Sequence, residues 1–270
     1  MTADMNRMQV KNWRRVHYVH HERAAQGLVS VQERDTLLAA VQTCITRNVH
    51  YLPCLDSQTG SPLVIMTNRL ILRRLNSAIN LAATEFDTPL SSLVPLGLGT
   101  FGDTVLTVTD DTSVIDVLDL CRERHVQAIP VVDSSNSYLC AMFSQQHVVG
   151  LARAKMYSQL DMPVVEAMAT PRAPDYLPVQ VLQREKQAAR QKASVDTVVM
   201  ATPLRDVMVK LANSAHHQLV CVSDGPAHQQ KVLGVITVDD FFAFLLKVAS
   251  SSGGVAADTP TATAADQPDQ

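Results

Sequence analysis

The 270-residue sequence is poor in aromatic residues, which make up only 4% of the chain. It has no apolar run near the roughly 18 residues that a membrane-spanning helix needs, and its N-terminus lacks the apolar segment of a signal peptide. A net charge of −3 gives no overall attraction to nucleic acid or to anionic membranes. These absences predict a protein that binds neither, with a cytoplasmic location and the nucleus as a second compartment.

Motifs for metal binding and catalysis are also scarce. The five cysteines form no C-x-x-C pair, and most of them lie inside apolar runs, so neither structural zinc nor a disulfide framework is expected. His17, His20 and His21 cluster in HYVHHER without a nearby cysteine, which is typical of a solvated linker. The sequence has no P-loop and no nucleophile elbow. We therefore predict a protein that is not an enzyme and holds no metal.

One short pattern is present three times, as NVHYLPCLD, HVQAIPVVD and HHQLVCVSD, which align on Asp56, Asp133 and Asp224. A β-branched stretch and an amphipathic helical pattern precede each copy, and a turn, a second strand and a second helix follow it. In the second copy, residues 110–112 offer a cap for the first helix. The order strand, helix, strand, strand, helix predicts an α/β (α+β) fold whose repeats pair, because one such unit cannot cover its own sheet.

This order and these segments resemble the CBS domain, a βαββα unit that pairs into a Bateman module. The third copy carries the family's turn into the last helix as Gly234, Thr237 and Asp240. NWRRV, HYLPCLDSQTGSPLVIMTNRLILRRL, LGTFGDTVLTV and LARAKMYSQLDMPVVEAM narrow the resemblance to the gamma subunit of AMP-activated protein kinase. It runs from about Asn12 to Leu246 and implies tandem CBS repeats, the second and third of them paired.

The resemblance also implies domain boundaries. The three repeats, which match the family's second, third and fourth, are expected at residues 28–80, 93–155 and 165–250. The family's first repeat has no counterpart, so we expect the opening repeat to expose an apolar face that another chain, or a segment absent from this sequence, would cover. The other segments are a linker helix and loop (1–27), a basic helical insertion that is either solvated or docks a partner (181–193), and a disordered tail (251–270).

In the family the nucleotide lies in the cleft between paired repeats. An aspartate at the start of the last helix accepts hydrogen bonds from the ribose hydroxyls, and a Ser or Thr three residues earlier adds a hydroxyl near the phosphate. Only the third copy keeps both residues, as Thr237 and Asp240. By the same resemblance, the adenine contacts come from the second repeat, at Thr100, Asp103, Val105, Gln127 and Ala128.

The other two copies have lost part of this set. His147 follows Ser144 in the second copy, where the family has its aspartate, so that second site is doubtful. Leu70 holds the place in the first copy, and that site is expected to be empty. The His–Arg pairs of the family keep only their histidines, His50 and His217, which serve either as phosphate contacts or as packed polar residues. Arg69 stands where the family has a lysine and could serve as a phosphate contact.

The resemblance thus implies a non-catalytic regulatory subunit that senses energy by binding AMP, ADP or ATP and has no other cofactor. Its expected partners are the catalytic (alpha) and scaffold (beta) subunits of a Ser/Thr kinase of the AMP-activated type. Two alternatives stay open. The chain could be an interaction scaffold that has lost the nucleotide, or a CBS regulator of a non-kinase enzyme or transporter.

Overall fold

A computed structural model of the chain describes residues 28–78, 84–153, 160–169, 195–214 and 216–251. Of these, residues 28–67 belong to one compact unit and residues 68–251 to a second. The predicted linker helix (1–27), the His-rich segment within it and the basic insertion (181–193) lie outside the described residues. Of the predicted tail, only Ser251 is described.

The first unit contains β1 (Val31–Gln32), α1 (Leu37–Arg47), β2 (Tyr51–Leu55) and β3 (Pro62–Thr67). The β1 strand pairs with β2 in parallel, and β2 pairs with β3 in antiparallel. Thr36 caps the N-terminus of α1 by accepting the N–H of Ala39 at 3.1 Å, and Asn48 ends the helix in the left-handed conformation with a φ of 50°. The local chemistry of the sequence thus sets both ends of α1.

The second unit begins with α2 (Asn68–Ala78), α3 (Leu90–Leu93) and β4 (Thr100–Phe101). Its second repeat consists of β5 (Val108–Thr109), α4 (Val114–Arg124), β6 (Ala128–Val132), β7 (Leu139–Ser144) and α5 (Gln145–Arg153). The short helix α6 (Val164–Ala169) follows. The third repeat consists of β8 (Thr197–Val199), α7 (Leu204–Asn213), β9 (Gln218–Val222), β10 (Val232–Thr237) and α8 (Val238–Ser251).

The strands of the second unit form two sheets. One has the order β5-β6-β7, and the other has the order β4-β10-β9-β8. Val114, Val117 and Phe143 are fully buried between the first sheet and its helices. The predicted βαββα order is confirmed. The predicted cap of α4 was wrong by one residue, because Ser113, not residues 110–112, accepts the N–H of Asp116 at 3.2 Å.

The second and third repeats are paired, as predicted. Ala128 and Met142 of one pack against Val220 and Val222 of the other. The segment that precedes each of these repeats forms backbone hydrogen bonds with the other repeat. Residues 88–90, which precede the second repeat, exchange backbone hydrogen bonds with residues 202–204 of the third, and residues 162–164 do the same with residues 112–114 of the second.

The aspartate that closes the repeated pattern is a turn residue. Asp56 Oδ1 accepts the N–H groups of the two following turn residues, Gln58 and Thr59, and these bonds hold the pKa of Asp56 below its ordinary value. Asp133 makes the same turn. In the third repeat Ser223 takes this place, because its N–H bonds Lys231 as that of Asp133 bonds Tyr138. The sequence alignment on Asp224 was therefore wrong by one residue.

Candidate functional site

Thr237 and Asp240 form a hydrogen-bonded pair at the start of α8. Thr237 ends β10, and its hydroxyl accepts the N–H of Asp240 at 3.1 Å. In return, Asp240 Oδ2 accepts the N–H of Thr237 at 2.9 Å and its hydroxyl at 2.8 Å. This is a capping box, and it fixes a half-buried carboxylate beside the exposed N–H groups of a 14-residue helix.

His217 is fixed at the same helix end. Its backbone oxygen accepts the N–H of Val238, the first residue of α8, at 3.2 Å. The following residue, Gln218, lies opposite Thr237 in the sheet. His217 has a φ of 59° and an exposed side chain. The structure therefore brings three of the predicted site residues, His217, Thr237 and Asp240, to one place.

Strand β4 holds another predicted residue along the edge of β10. Thr100 lies opposite Val235, two residues before Thr237, and its side chain is exposed. The turn that follows carries Asp103, which is exposed, and Val105, which is half-buried and donates its N–H to Gly102 at 3.1 Å. Thr100 thus lies at the β10 edge, and Asp103 and Val105 follow it in the turn after β4.

The close approach of β4 depends on a glycine that sequence reasoning had assigned only to the turn motif. Gly234 lies opposite Phe101, and a Cβ at Gly234 would lie 2.2 Å from Cδ1 of the Phe101 ring. The signal in the sequence was a glycine inside a strand pattern, which often marks a bulge or a close backbone contact. The ladder between β9 and β10 is indeed irregular between Val232 and Gly234.

Gln127 and Ala128 lie at the start of β6 in the second repeat. Gln127 is exposed, whereas Ala128 is buried and packs against Val220 and Val222 of the third repeat. This packing places Ala128 at the interface of the pair. Gln127 takes the position that His217 has in the third repeat, directly before the middle strand.

The second repeat has a similar capping arrangement in which a histidine replaces the aspartate. Ser144 ends β7, and its N–H donates to Nδ1 of His147 at 3.0 Å, as the N–H of Thr237 does to Asp240. Nδ1 of His147 also lies 3.2 Å from the hydroxyl and from the carbonyl oxygen of Ser144. His147 thus replaces the aspartate in its structural role but supplies no negative charge.

The same histidine belongs to an aromatic stack. The ring of His147 stacks on Phe143 with centroids 5.4 Å apart and on His216 of the third repeat with centroids 6.4 Å apart. Both imidazoles are buried. At the doubtful second site, stacked rings therefore take the place of an open carboxylate.

Arg69 is bound to the end of a helix. Its guanidinium donates from Nε to the carbonyl of Ala212 at 3.1 Å and from Nη2 to that of Asn213 at 3.3 Å, the last carbonyls of α7. Arg73 also donates to Ala212, at 3.2 Å. Burial, and then the charge of Arg73, lower the pKa of Arg69. Arg69 thus lies on the segment that leads to His217, while two of its five N–H donors are already used.

Two further predicted residues are His50 and Leu70. His50 is exposed directly before β2 in the first unit, and its role at the site stays a prediction. Leu70 is 47% exposed on α2. Asp239, next to Asp240, accepts Nδ2 of the buried Asn68 at 2.7 Å, which ties α2 to α8. Sequence reasoning missed this contact, because the two residues lie 171 positions apart.

Two comparisons with known proteins bear on this geometry. Residues 102–153 match the family model of the CBS domain. The chain is 26% identical over 241 residues to the 5'-AMP-activated protein kinase subunit gamma-3 of Bos taurus, covering 88% of this chain and 43% of that protein. It is 27% identical to the human gamma-3 subunit, with coverages of 90% and 44%, and 27% identical to the gamma subunit of Dictyostelium discoideum, with coverages of 82% and 35%.

The chain is thus similar to gamma subunits of the AMP-activated protein kinase over 82–90% of its own length. It spans less than half the length of these three gamma subunits. Solved structures agree on the fold. A conserved protein from Pyrococcus horikoshii has a TM-score of 0.56 and 20% identity, with 83% of this chain and 80% of that one covered. A proposed archaeal homologue of the gamma subunit, from Methanocaldococcus jannaschii, has a TM-score of 0.53 and 15% identity, with coverages of 82% and 68%.

The predicted CBS fold and the resemblance to the gamma subunits are thereby confirmed. The prediction that the chain is not an enzyme agrees with these relatives, which are named as gamma subunits of a kinase. In the described ranges no three His, Cys, Asp or Glu residues come together as metal ligands. Across the same part of the chain, none of the helices is long and apolar enough to cross a bilayer.

Proposed function

We propose that the chain is a regulatory subunit that binds AMP, ADP or ATP at the start of α8 and biases the activity of a kinase of the AMP-activated type. The pair formed by Thr237 and Asp240 at the N-terminus of that helix carries the proposal. The names of the curated relatives support the choice of kinase and of AMP, and hence of alpha and beta subunits as partners.

The carboxylate is suited to a ribose. Asp240 Oδ2 already accepts both bonds from Thr237, whereas Oδ1 has no protein donor among the described residues. Oδ1 can therefore accept from the hydroxyls of a ribose, and a charged acceptor makes a stronger bond than a neutral one. The N–H groups of α8 and its dipole favour the phosphate. The backbone of His217, whose side chain is exposed, is bonded to the first residue of that helix.

A nucleotide could regulate a kinase only if it binds two states of the complex with different affinity. The site suits this role because it joins two repeats. Thr100 and Asp103 lie within the predicted second repeat (93–155), and Thr237 and Asp240 belong to the third. A ligand that contacts both groups would favour one arrangement of the pair over another.

The scaffold alternative is favoured by two observations. The aromatic stack of Phe143, His147 and His216 occupies the second position, and the arginines expected beside His50 and His217 are replaced by Tyr51 and Gln218. A charged hydrogen bond contributes roughly 1.5–3 kcal/mol, so these losses could abolish nucleotide binding altogether.

Titration calorimetry with AMP, ADP and ATP separates the two. Asp240→Ala should weaken binding by about 2 kcal/mol, or roughly 30-fold, because a charged acceptor is lost. The same change also removes a helix cap. Asp116→Ala is the matched control, since Asp116 on α4 also accepts the hydroxyl of its cap residue, Ser113, and donates its N–H to that hydroxyl. Both variants should lose about 1 kcal/mol of folding stability, but only Asp240→Ala should lose affinity.

His147→Ala should leave nucleotide affinity nearly unchanged. If wild type binds no nucleotide up to millimolar concentration, the scaffold alternative is correct. If wild type binds nucleotide and Asp240→Ala binds it equally well, the start of α8 is not the binding site. Co-purification of the tagged chain tests the partner. Recovery of a kinase catalytic subunit supports the proposal, and its absence favours the non-kinase alternatives. We also propose a cytoplasmic location, with the nucleus as a second compartment, which microscopy of the tagged chain would check.

A further inference from the structure

One face of the sheet in the first unit is apolar and partly exposed in the portion of the chain that the structure describes. Residues 51, 53 and 55 of β2 point to the same side, because side chains alternate along a strand, and Ile65 lies opposite Pro53. We call Tyr51, Pro53, Leu55 and Ile65 the β2–β3 face. Tyr51 is 70% exposed and Ile65 is 59% exposed. Side chains of this size rarely stay in water as a contiguous group unless they bind something.

The second unit shows what covers the same face in the other repeats. The β-ladders place Ala128 opposite Ser144 and Gln218 opposite Thr237, as they place Tyr51 opposite Thr67. Ala128 and Gln218 are therefore the counterparts of Tyr51, and both are buried.

Met142, opposite Pro130, is the counterpart of Ile65 by the same comparison. It is 3% exposed, and its Sδ accepts Nε2 of Gln218 from the other repeat at 3.1 Å. In the paired repeats, therefore, the residue equivalent to Tyr51 in one repeat contacts the residue equivalent to Ile65 in the other.

Like positions also meet directly across the pair. Tyr138 and Lys231 form an antiparallel β-bridge between the two repeats. They are equivalent residues, because the carbonyl of Tyr138 accepts the N–H of Asp133, and that of Lys231 accepts the N–H of Ser223. Equivalent residues that face each other mark a local two-fold axis. Their counterpart in the first unit is Ser61, whose carbonyl accepts the N–H of Asp56 at 2.9 Å.

We propose that the β2–β3 face docks on the same face of a second copy of the chain, forming a symmetric dimer. Tyr51 of each copy packs on Ile65 of the other, and the two Ser61 residues meet at the two-fold axis. The face suits a second copy because none of its four side chains carries a charge. Around a two-fold axis every residue is present twice, so a charged residue there would lie close to the same charge in the other copy.

The oligomeric state of the 270-residue chain is the first test. Sedimentation velocity on wild type should give a mass about twice 29.5 kDa. Ile65→Lys should give the monomer mass, because the symmetry would bury two ammonium groups in the apolar interface. Circular dichroism of this variant would confirm that it is folded.

Leu63→Lys is the matched control on the same strand. Leu63 is 55% exposed and lies at the bulge of the β2–β3 ladder. Its counterparts in the paired repeats, Cys140 and Leu233, stay exposed although those repeats are paired. Leu63→Lys removes a similar apolar surface and should remain a dimer.

A crosslink tests the two-fold axis without disturbing the apolar face. Residues paired across an antiparallel bridge lie 4.5–5.5 Å apart at Cα, within disulfide range. In a Cys140→Ser background, which removes the exposed native thiol, Ser61→Cys should form a covalent dimer on oxidation. Gln42→Cys, at an exposed position on α1, should not. A monomeric wild type would mean that another segment or protein covers the face and would overturn the proposal. A dimer that survives Ile65→Lys, or that Ser61→Cys fails to crosslink, would overturn it as well.

Discussion

Replacing Gly234 with alanine measures how much the contact between β4 and β10 contributes to stability. A Cβ on Gly234 would lie 2.2 Å and 2.3 Å from two carbons of the Phe101 ring. Carbon atoms attract each other best at about 3.5–4.0 Å, so the ring must move by more than 1 Å. The backbone of Phe101 is held opposite Gly234 in the ladder, and its carbonyl accepts the hydroxyl of Thr104 at 2.9 Å. The ring is also close to Gly99, where a Cβ would lie 2.9 Å from Cε2 of Phe101.

We expect Gly234→Ala to lower the free energy of unfolding by about 1–3 kcal/mol, the usual cost of an overpacked contact. Urea unfolding followed by far-ultraviolet circular dichroism measures it. With a dependence of about 2 kcal/mol per molar urea, a loss of 2 kcal/mol lowers the midpoint by about 1 M. Nucleotide affinity should fall too, because β4 carries Thr100 to the candidate site.

A double-mutant cycle with Phe101→Ala isolates the clash from other effects of the new methyl group. Removing the ring should make Gly234→Ala nearly neutral. Leu233→Ala, at a neighbouring exposed position, is the control for a change on the same strand. If Gly234→Ala costs no more than Leu233→Ala, or costs the same with and without the Phe101 ring, the close contact does not hold β4 in place.

Three further predictions concern single side chains. His147→Asp should restore a carboxylate beside Ser144 and add a second nucleotide-binding event in calorimetry, and an unchanged stoichiometry would contradict this. Arg69→Ala should lower the free energy of unfolding by about 1 kcal/mol in urea, a modest value because the guanidinium is partly exposed. Arg69→Lys should not restore the stability, because lysine cannot form both bonds to the end of α7. Burial, and then the charge of Asp224, raise the pKa of Cys221 from 9.0 to about 11. The unfolded chain therefore loses this proton first, and stability should fall as pH rises from 9 to 11. Urea unfolding at pH 8.5 and 10.5 should show a smaller fall in stability for Cys221→Ala than for wild type.

Much of the fold was readable because its signals are local. The helical spacing of Val114, Val117 and Cys121 predicted α4, and these residues are its buried side. The pair Thr237 and Asp240 was readable for the same reason, since residues three apart at a helix start meet whatever the rest of the chain does. The site beyond this pair was less predictable. The position of Arg69 at the end of α7 and the stack of His147 on His216 join residues that are distant in sequence.

The sequence alone determined the βαββα units, their helix caps and the residue types at each strand end, because periodicity and capping act over a few neighbours. Tertiary structure decided that Ser223 and not Asp224 closes the third pattern, and that Gly234 is needed beneath the Phe101 ring. It also decided that the same sheet face is buried in two repeats and exposed in the first. These outcomes depend on the surfaces that two distant segments present to each other, and no short window of sequence contains both.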